Sequence, residues 1–307
     1  MKLNWSGVTS GTLLSGSPRA TLREVALAGL AALYKVTGRL EAPLQRPRVQ
    51  ILNFHHLFQD EIPGFRRLLE RLLKLHRPIA YSEAVQRIIR GDIDAPYLTF
   101  TFDDGLKNCL EASAILREFG VLGCFFVCTS IVGVKDYEVI KQFCARRLLI
   151  PPHEFLDLDD LHSIRAAGHE IGSHSMTHAN LAKLLFPEIE NEVVGSFEML
   201  RRELGEAKHF AWPFGEFTHL TPGAASIVFR AGFESCASGE RGCHVAGPPL
   251  SSEQVCIRRD QILPNKSVDQ VLYFMSRASL SANEKTRRWP ASWVIEPLHP
   301  QAVRADR

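Results

Sequence analysis

The sequence has few cysteines, and their spacing argues against two kinds of site. The chain of 307 residues contains seven cysteines, an odd number, and no Cys-x-x-Cys pair. This pattern argues against a disulfide scaffold and against a cysteine zinc site, and it is typical of a reducing compartment. A chain of this length can bury the core of one large domain or of two small ones.

Long hydrophobic runs and an excess of charge of one sign are also lacking. The longest apolar run near the N-terminus, residues 25–34, is roughly half the length that spans a bilayer. The residues after Met1 and Lys2 include Asn, Ser, Gly and Thr and do not form the apolar segment of a secretory signal. Formal net charge is +2, with 36 Lys and Arg against 34 Asp and Glu, so no basic surface indicates a nucleic-acid partner. We expect a cytoplasmic protein without a transmembrane segment. In a second interpretation, its first helix lies on the inner face of the membrane.

Seven short apolar segments predict β-strands. They alternate with segments of helical periodicity, an order that is typical of parallel β/α units. The predicted strands are residues 49–54, 97–102, 123–128, 168–172, 209–212, 233–237 and 255–258. We therefore predict an α/β fold, a barrel of about seven β/α units.

Polar residues follow the carboxyl ends of several predicted strands. His55 follows the first strand, Asp103 and Asp104 follow the second, and His174 and His178 follow the fourth. In a β/α barrel these strand ends share one face, and that face carries the active site. The sequence therefore predicts that these residues meet in one cleft.

The adjacent carboxylates of Asp103 and Asp104 favour a metal site. Two neighbouring carboxylates repel each other, and a bound cation removes that cost. His174 and His178 are spaced i, i+4, so on a helical turn both rings would lie on one side. Carboxylates and two histidines on one face together predict metal-assisted hydrolysis. In the alternative interpretation one aspartate caps the next helix and the histidine spacing is incidental.

Three segments resemble motifs of one enzyme family. TFDDG at 101–105, HSMTH at 174–178 and WPFG at 212–215 resemble the first three motifs of the polysaccharide deacetylases of the NodB-homology type, or carbohydrate esterase family 4. The resemblance extends over roughly residues 48–280. It implies a distorted (β/α)7 barrel that forms a single catalytic domain.

The resemblance also implies a division of the chain. The deacetylase domain would comprise residues 46–280. An N-terminal extension with one helix, residues 1–45, would precede it, and a basic C-terminal tail, residues 281–307, would follow it.

By the same resemblance, the chain binds one divalent metal ion, usually zinc in this family, through Asp104, His174 and His178. Asp103 is then the general base, which takes a proton from water while the metal polarises the acetyl carbonyl. The implied substrate is an N-acetylated amino sugar in a polysaccharide or glycan, which loses acetate.

The segment Trp212, Pro213, Phe214 and Gly215 is predicted to contact substrate. Its aromatic rings would form an apolar wall for a sugar ring or would pack in the core, and the residue types leave both interpretations open. A backbone N–H of this turn would face the oxyanion.

Two positions depart from the family pattern. The arginine that orients the base stands two residues before the proline of the third motif, where this chain has Ala211. Arg258 and Arg259, near the end of the last predicted strand, are candidate substitutes. The histidine of the last motif is also missing, because residues 255–263 contain none.

The first strand supplies a candidate for the missing histidine. Leu-Asn-Phe-His at 52–55 resembles the permuted arrangement of the poly-N-acetylglucosamine deacetylase branch, in which the general acid lies on an N-terminal strand. We therefore predict His55 as the general acid, with His56 and His244 as alternatives.

Other functions are compatible with these residues. A deformylase or another amide hydrolase that cleaves non-peptide carbon–nitrogen bonds would keep the metal and the base. A non-catalytic carbohydrate-binding homologue would explain Ala211, whereas a structural protein would have no reason to bind a metal. The sequence leaves open which glycan is bound, its linkage and the oligomeric state.

Overall fold

The computed structural model describes residues 18–295, except for the side chains of residues 18–21, 23 and 24. The α-helices of this range are α1 (Pro18–Val36), α2 (Ile62–Leu73), α3 (Tyr81–Arg90), α4 (Cys109–Glu118), α5 (Tyr137–Phe143), α6 (Leu158–Ala166), α7 (Phe186–Leu204), α8 (Pro222–Ala231) and α9 (Val268–Ser281). The strands are β1 (Arg48–Phe54), β2 (Arg77–Pro78), β3 (Pro96–Phe102), β4 (Gly123–Val127), β5 (Glu170–Ser173), β6 (His209–Ala211), β7 (Ser235–Ala237) and β8 (Asp260–Gln261).

The strands form one sheet in the order β7-β6-β5-β4-β3-β1-β8, with β2 paired to β3 outside this order. All of these pairs are parallel. The chain just before β8 also contacts β7, because the Ile257 N–H donates to the carbonyl of Cys236 at 3.1 Å. The sheet therefore curls into a distorted barrel, and the predicted fold class is confirmed.

The last strand lies later in the chain than predicted. Residues 255–258 were predicted as a strand, but two isolated bridges form there, from Ile257 to Ala237 and from Val255 to Arg288, and β8 pairs with β1 at Asp260. The chain first bonds to β7 and then crosses to β1, so neither pairing continues for long. The two-residue strand β2 was not predicted, because it is too short to show a period-2 pattern.

Side chains alternate between the two faces of the sheet, as strand geometry requires. On the outer face, Phe54 and Phe102 stack with ring centroids 5.4 Å apart and pack with residues of the surrounding helices. On the inner face, Val49 and Ile51 pack with Tyr81 and other residues of α3. This alternation places every second residue of β1 and β3 on the inner face.

The register of the strands aligns their carboxyl ends. Asn53 lies opposite Thr101 across β1 and β3. The Asp103 N–H donates to the carbonyl of Phe54 at 2.9 Å, and two strand pairs further the His174 N–H donates to the carbonyl of Val127 at 2.9 Å. The residues that follow β1, β3 and β5 consequently meet at one end of the barrel.

The first helix, α1, packs on the outside of the barrel against α9. The rings of Tyr34 and Tyr273 lie 4.9 Å apart, and Lys35 pairs with Asp269 at 2.8 Å. Across residues 18–295, no helix has the length and apolar character that a membrane crossing needs. The predicted division at 45/46 and 280/281 stays a prediction, and residues 1–17 and 296–307 lie outside the described residues.

The seven cysteines are all buried and none is in a disulfide. They behave as small apolar side chains of the core.

Candidate metal centre and active site

Asp104, His174 and His178 are brought together at the carboxyl ends of β3 and β5. Their donor atoms all lie within 4.8 Å of one another. The Asp104 Oδ1 is 3.5 Å from His174 Nε2 and 3.4 Å from His178 Nε2. One carboxylate and two imidazoles are the donor set of a catalytic zinc site that keeps a position open.

The backbone fixes which nitrogen of each histidine faces Asp104. His174 Nδ1 lies 2.7 Å from the Ala211 carbonyl, and His178 Nδ1 lies 3.0 Å from the Arg147 carbonyl. A carbonyl only accepts, so each Nδ1 carries the hydrogen and each Nε2 keeps its lone pair for a metal. Burial lowers the pKa of both rings, which favours the neutral form that ligation requires.

Asp104 has the properties of a metal ligand. Its Oδ1 is buried and accepts no hydrogen bond. Burial and the adjacent Asp103 carboxylate raise the pKa of Asp104 to about 8. A divalent cation would offset both the desolvation and the repulsion. The residues present therefore fit a metal ion.

The HSMTH segment forms a loop and no helical turn, which corrects the geometry expected from the i, i+4 spacing. Ser175 and His178 both have left-handed backbone, with φ of 64° and 55°, which an α-helix excludes. The buried carboxylate of Glu192 holds this loop by accepting the N–H groups of Met176 at 3.0 Å and Thr177 at 2.8 Å. The two rings share one side because of this loop conformation.

Asp103 is held differently from its neighbour. Arg259 donates from Nη1 to Oδ1 at 2.8 Å and from Nη2 to Oδ2 at 2.9 Å, and Asn53 Nδ2 also donates to Oδ2 at 2.9 Å. Burial alone would raise the pKa of Asp103, but the Arg259 guanidinium holds it well below its usual range. Asp103 is therefore an oriented carboxylate that stays ionised near neutral pH.

Of the two arginines predicted to substitute for one at position 211, Arg259 is the one that contacts Asp103. It is fully buried, and its Nη1 also lies 3.2 Å from Asn53 Oδ1. The other candidate, Arg258, points elsewhere, because its guanidinium lies 5.3 Å from the centroid of the Phe217 ring. Sequence reasoning missed Asn53, although a polar residue on an otherwise apolar strand, two positions before His55, was a usable signal.

His55 and His56 both line the cavity around these residues, whereas His244 does not. His244 is buried elsewhere, where its Nε2 accepts the Arg258 N–H at 3.0 Å. His56 lies 3.8 Å from Glu61 Oε2 and packs on Phe58. Of the predicted alternatives for the acid, His244 is excluded from the cavity by its position.

The WPFG segment contributes two kinds of side chain. Trp212 is fully buried, stacks on Trp289 with centroids 5.8 Å apart, and donates to the Glu216 carbonyl at 3.1 Å. Phe214 is 45% exposed, and its ring lies 4.7 Å from that of His178. Both rings and Gly215 line the cavity, but the buried Pro213 does not.

The cavity has a volume of about 350 Å³. Asp103, Asp104, Arg259 and the histidines line one part of it, and apolar residues of the 148–150 segment, Phe58 and Leu263 line another. This volume lies at the lower end of the range for small-molecule sites. A cavity of this size admits a ligand of small-molecule size.

We expect Arg259→Lys to lower turnover by about 10- to 100-fold, because a lysine keeps the charge but cannot bind both oxygens of Asp103. Metal content should be unchanged, since Arg259 touches no ligand of the metal. Turnover and metal content of the purified variant check this expectation. Arg258→Lys is the matched control, and an equal loss in that variant would contradict the positioning role of Arg259.

Solved structures with a similar fold include several deacetylases. IcaB from Ammonifex degensii superimposes with a TM-score of 0.59 and 19% identity over 75% of this chain and 97% of that one. Streptococcus pyogenes deacetylase PplD, solved in complex with acetate, gives a TM-score of 0.58 and 18% identity over 75% of this chain and 99% of that one. A de-N-acetylase from Aggregatibacter actinomycetemcomitans gives a TM-score of 0.56 and 15% identity over 74% of this chain and 100% of that one. At these identities the likeness establishes the fold.

Part of the sequence matches a known family. Residues 90–232 match the family model described as polysaccharide deacetylase. This segment contains the metal donor set, Asp103 and the WPFG turn, whereas His55 and Arg259 lie on either side of it. In this segment the chain is therefore similar to the polysaccharide deacetylases.

Proposed function

We propose that this protein is a metal-dependent deacetylase that removes the N-acetyl group from an N-acetylated amino sugar of a glycan and releases acetate. The observation that carries the proposal is the pairing of a donor set, Asp104, His174 and His178, with a separately oriented carboxylate, Asp103. The proposed metal is zinc, which the mixed carboxylate and imidazole donors suit.

When bound, the metal would polarise the acetyl carbonyl and lower the pKa of water. Asp103 accepts the proton of the attacking water. Its Oδ2 already accepts two hydrogen bonds, but Oδ1 accepts one, from Arg259, so Oδ1 has an acceptor site left for the water. Arg259 and Asn53 prevent the carboxylate from rotating toward the metal donors, which keeps base and ligand distinct.

His55 is the proposed general acid for the departing sugar nitrogen. Burial lowers the pKa of His55 to about 4, although the charge of Asp103 opposes this shift. The ring is therefore neutral in the resting cavity, and the proton that it passes to the sugar nitrogen is the one that Asp103 takes from the attacking water. Negative charge that develops on the amide oxygen favours uptake of this proton by His55, because an opposite charge stabilises the imidazolium.

The position of Arg259 supports an enzyme over a non-catalytic homologue. Ala211 was the reason to consider a protein that only binds carbohydrate. The guanidinium of Arg259, however, contacts both oxygens of Asp103. A protein that only held a glycan would have no use for a buried carboxylate oriented beside a metal donor set.

Acetate release tests the proposed function directly. Zinc-loaded protein should release acetate from N-acetylglucosamine or its oligomers and leave free amines, and the apoprotein should not. Release of formate from N-formyl analogues without any acetate would favour a deformylase. No release from any acylated amino sugar would contradict the proposal.

We expect His55→Ala to lower turnover on an acetamide by about 100-fold or more, the usual contribution of a general acid. Turnover on an activated acetyl ester should fall much less, because its leaving group departs without a proton. The metal content should stay the same. Equal losses on both substrates would indicate a positioning role, and no loss would transfer the acid role to His56.

A further inference from the structure

Two large apolar side chains at the cavity are exposed to solvent. Leu149, which follows a π-helical turn at Cys144–Leu148, is 78% exposed, and Phe214 is 45% exposed. Both line the cavity that holds the metal donor set. Exposure of apolar surface at the mouth of a site is a feature of surfaces that a ligand covers.

Both residues also have a backbone conformation that bulky residues seldom adopt. Leu149 has φ of 58° and Phe214 has φ of 64°. The other non-glycine residues with positive φ in the described part of the chain are Asp104, Ser175 and His178, which belong to the metal site. Strain of this kind persists where the surrounding structure imposes it, and it is concentrated at functional sites. Here the fold retains this backbone conformation at two positions whose apolar side chains stay partly or largely exposed.

The segments that carry Leu149 and Phe214 both contact the same proposed metal ligand, His178. The carbonyl of Arg147, two residues before Leu149, accepts from His178 Nδ1 at 3.0 Å. The ring of Phe214 packs on the His178 ring at 4.7 Å. The Ile150 N–H donates to the carbonyl of Cys144 at 3.2 Å. This hydrogen bond closes the turn that contains Leu149. Leu149 and Phe214 are therefore positioned relative to the reacting centre.

The rest of the cavity offers little that would recognise a charged polymer. Among the described residues that line it, the charged side chains other than histidine are Asp103, Asp104 and Arg259, all buried and all engaged in the centre itself. No lysine, glutamate or tyrosine is among these lining residues. Leu148, Ile150 and Leu263 extend the apolar part, and the volume of about 350 Å³ leaves little room for several sugar residues.

We infer that the substrate is an amphiphile, an N-acylated amino sugar that carries a hydrocarbon chain, and that this chain lies on Leu149 and Phe214. The inference rests on the proposed function, since it assigns the substrate class of the same site. The hydrocarbon is attached through the glycosidic oxygen, because the acyl group that the proposed function removes is acetyl. Burial of its methylene groups against the two side chains increases the affinity.

A comparison of short substrates tests the inference. Zinc-loaded protein is assayed with methyl and n-octyl N-acetylglucosaminide, with N-octanoylglucosamine, and with an N-acetylglucosamine tetramer, each below any micelle concentration. We expect kcat/KM for n-octyl N-acetylglucosaminide to exceed that for the methyl glycoside by roughly tenfold or more. A preference for N-octanoylglucosamine over n-octyl N-acetylglucosaminide would overturn this placement of the hydrocarbon.

Variants connect the preference to the two side chains. Leu149→Ser and Phe214→Ser should each reduce the octyl-to-methyl ratio of kcat/KM to roughly threefold or less, whereas Leu280→Ser, at an exposed leucine of α9, should leave the ratio at its original value. Equal rates on octyl and methyl compounds, or a preference for the tetramer, would overturn the inference and leave the deacetylase function intact. Absence of acyl release from all four compounds would instead contradict the proposed function itself.

Discussion

Replacement of His174 or His178 by alanine is expected to remove the metal and abolish turnover. Each ring is held by a carbonyl at Nδ1, Ala211 for one and Arg147 for the other, so that Nε2 faces Asp104. Loss of one ring leaves two donors, which is too few for a catalytic site that normally has three. We expect metal content to fall from about one ion per chain to well below half, with turnover reduced by at least 1000-fold.

Elemental analysis of the dialysed variants, together with acetate release, measures both effects. His162→Ala is a matched control, because this histidine lies exposed on α6 away from the cavity. Circular dichroism separates loss of metal from loss of fold. Full metal occupancy in both variants would show that the ion, if present, binds elsewhere.

The second large effect is expected at Asp103. Asp103→Asn should keep the metal but lower turnover by roughly 100- to 10,000-fold, the range that a general base contributes. The structure separates this residue from the donor set, because its oxygens accept from Arg259 and Asn53 while Asp104 Oδ1 accepts from no group. An asparagine cannot take the proton and leaves the buried Arg259 without its counter-charge, so the melting temperature should also fall.

Asp104→Asn is the control that distinguishes base from ligand. This variant should lose metal, whereas Asp103→Asn should retain it. Parallel measurement of metal content, turnover and melting temperature is needed, because the loss of the ion pair with Arg259 lowers stability independently of chemistry. If Asp103→Asn lost the metal and Asp104→Asn retained it, the two roles would have to be exchanged.

Much of the centre could be predicted because its signals are local. The TFDDG segment combines the period-2 pattern of β3 with the two carboxylates that follow it, and both features lie within nine residues, 97–105. The rule that carboxyl ends of barrel strands share one face then joins Asp104 to His174 and His178 without further information. The same rule predicted that His55 lies in this cleft, and His55 lines the cavity in the structure.

The residue that orients Asp103 could not be chosen from sequence. Arg258 and Arg259 are adjacent, and successive side chains of an extended chain point to opposite sides. Which of them points inward depends on the crossing from Ile257, bonded to β7, to Asp260, paired with Leu52. The predicted strand at 255–258 ended too early to show this crossing.

The loop conformations were equally inaccessible to pattern reasoning. Non-glycine residues seldom adopt positive φ, so local preferences argue against the backbone that Ser175, His178, Leu149 and Phe214 have. Contacts made by distant residues impose it, such as Glu192 on the HSMTH loop and His178 on the Arg147 carbonyl.

The sequence by itself predicted most of the strands and one cleft for Asp103, Asp104, His174 and His178, because residue type and short-range periodicity are sufficient for these. The resemblance to a family then distinguished the candidate base from the candidate metal ligands. The tertiary structure alone decided that Arg259 and Asn53 hold Asp103, that Trp212 is buried while Phe214 is exposed, and that Leu149 lies at the cavity. These features depend on pairing between segments far apart in the chain and on backbone conformations that only packing stabilises.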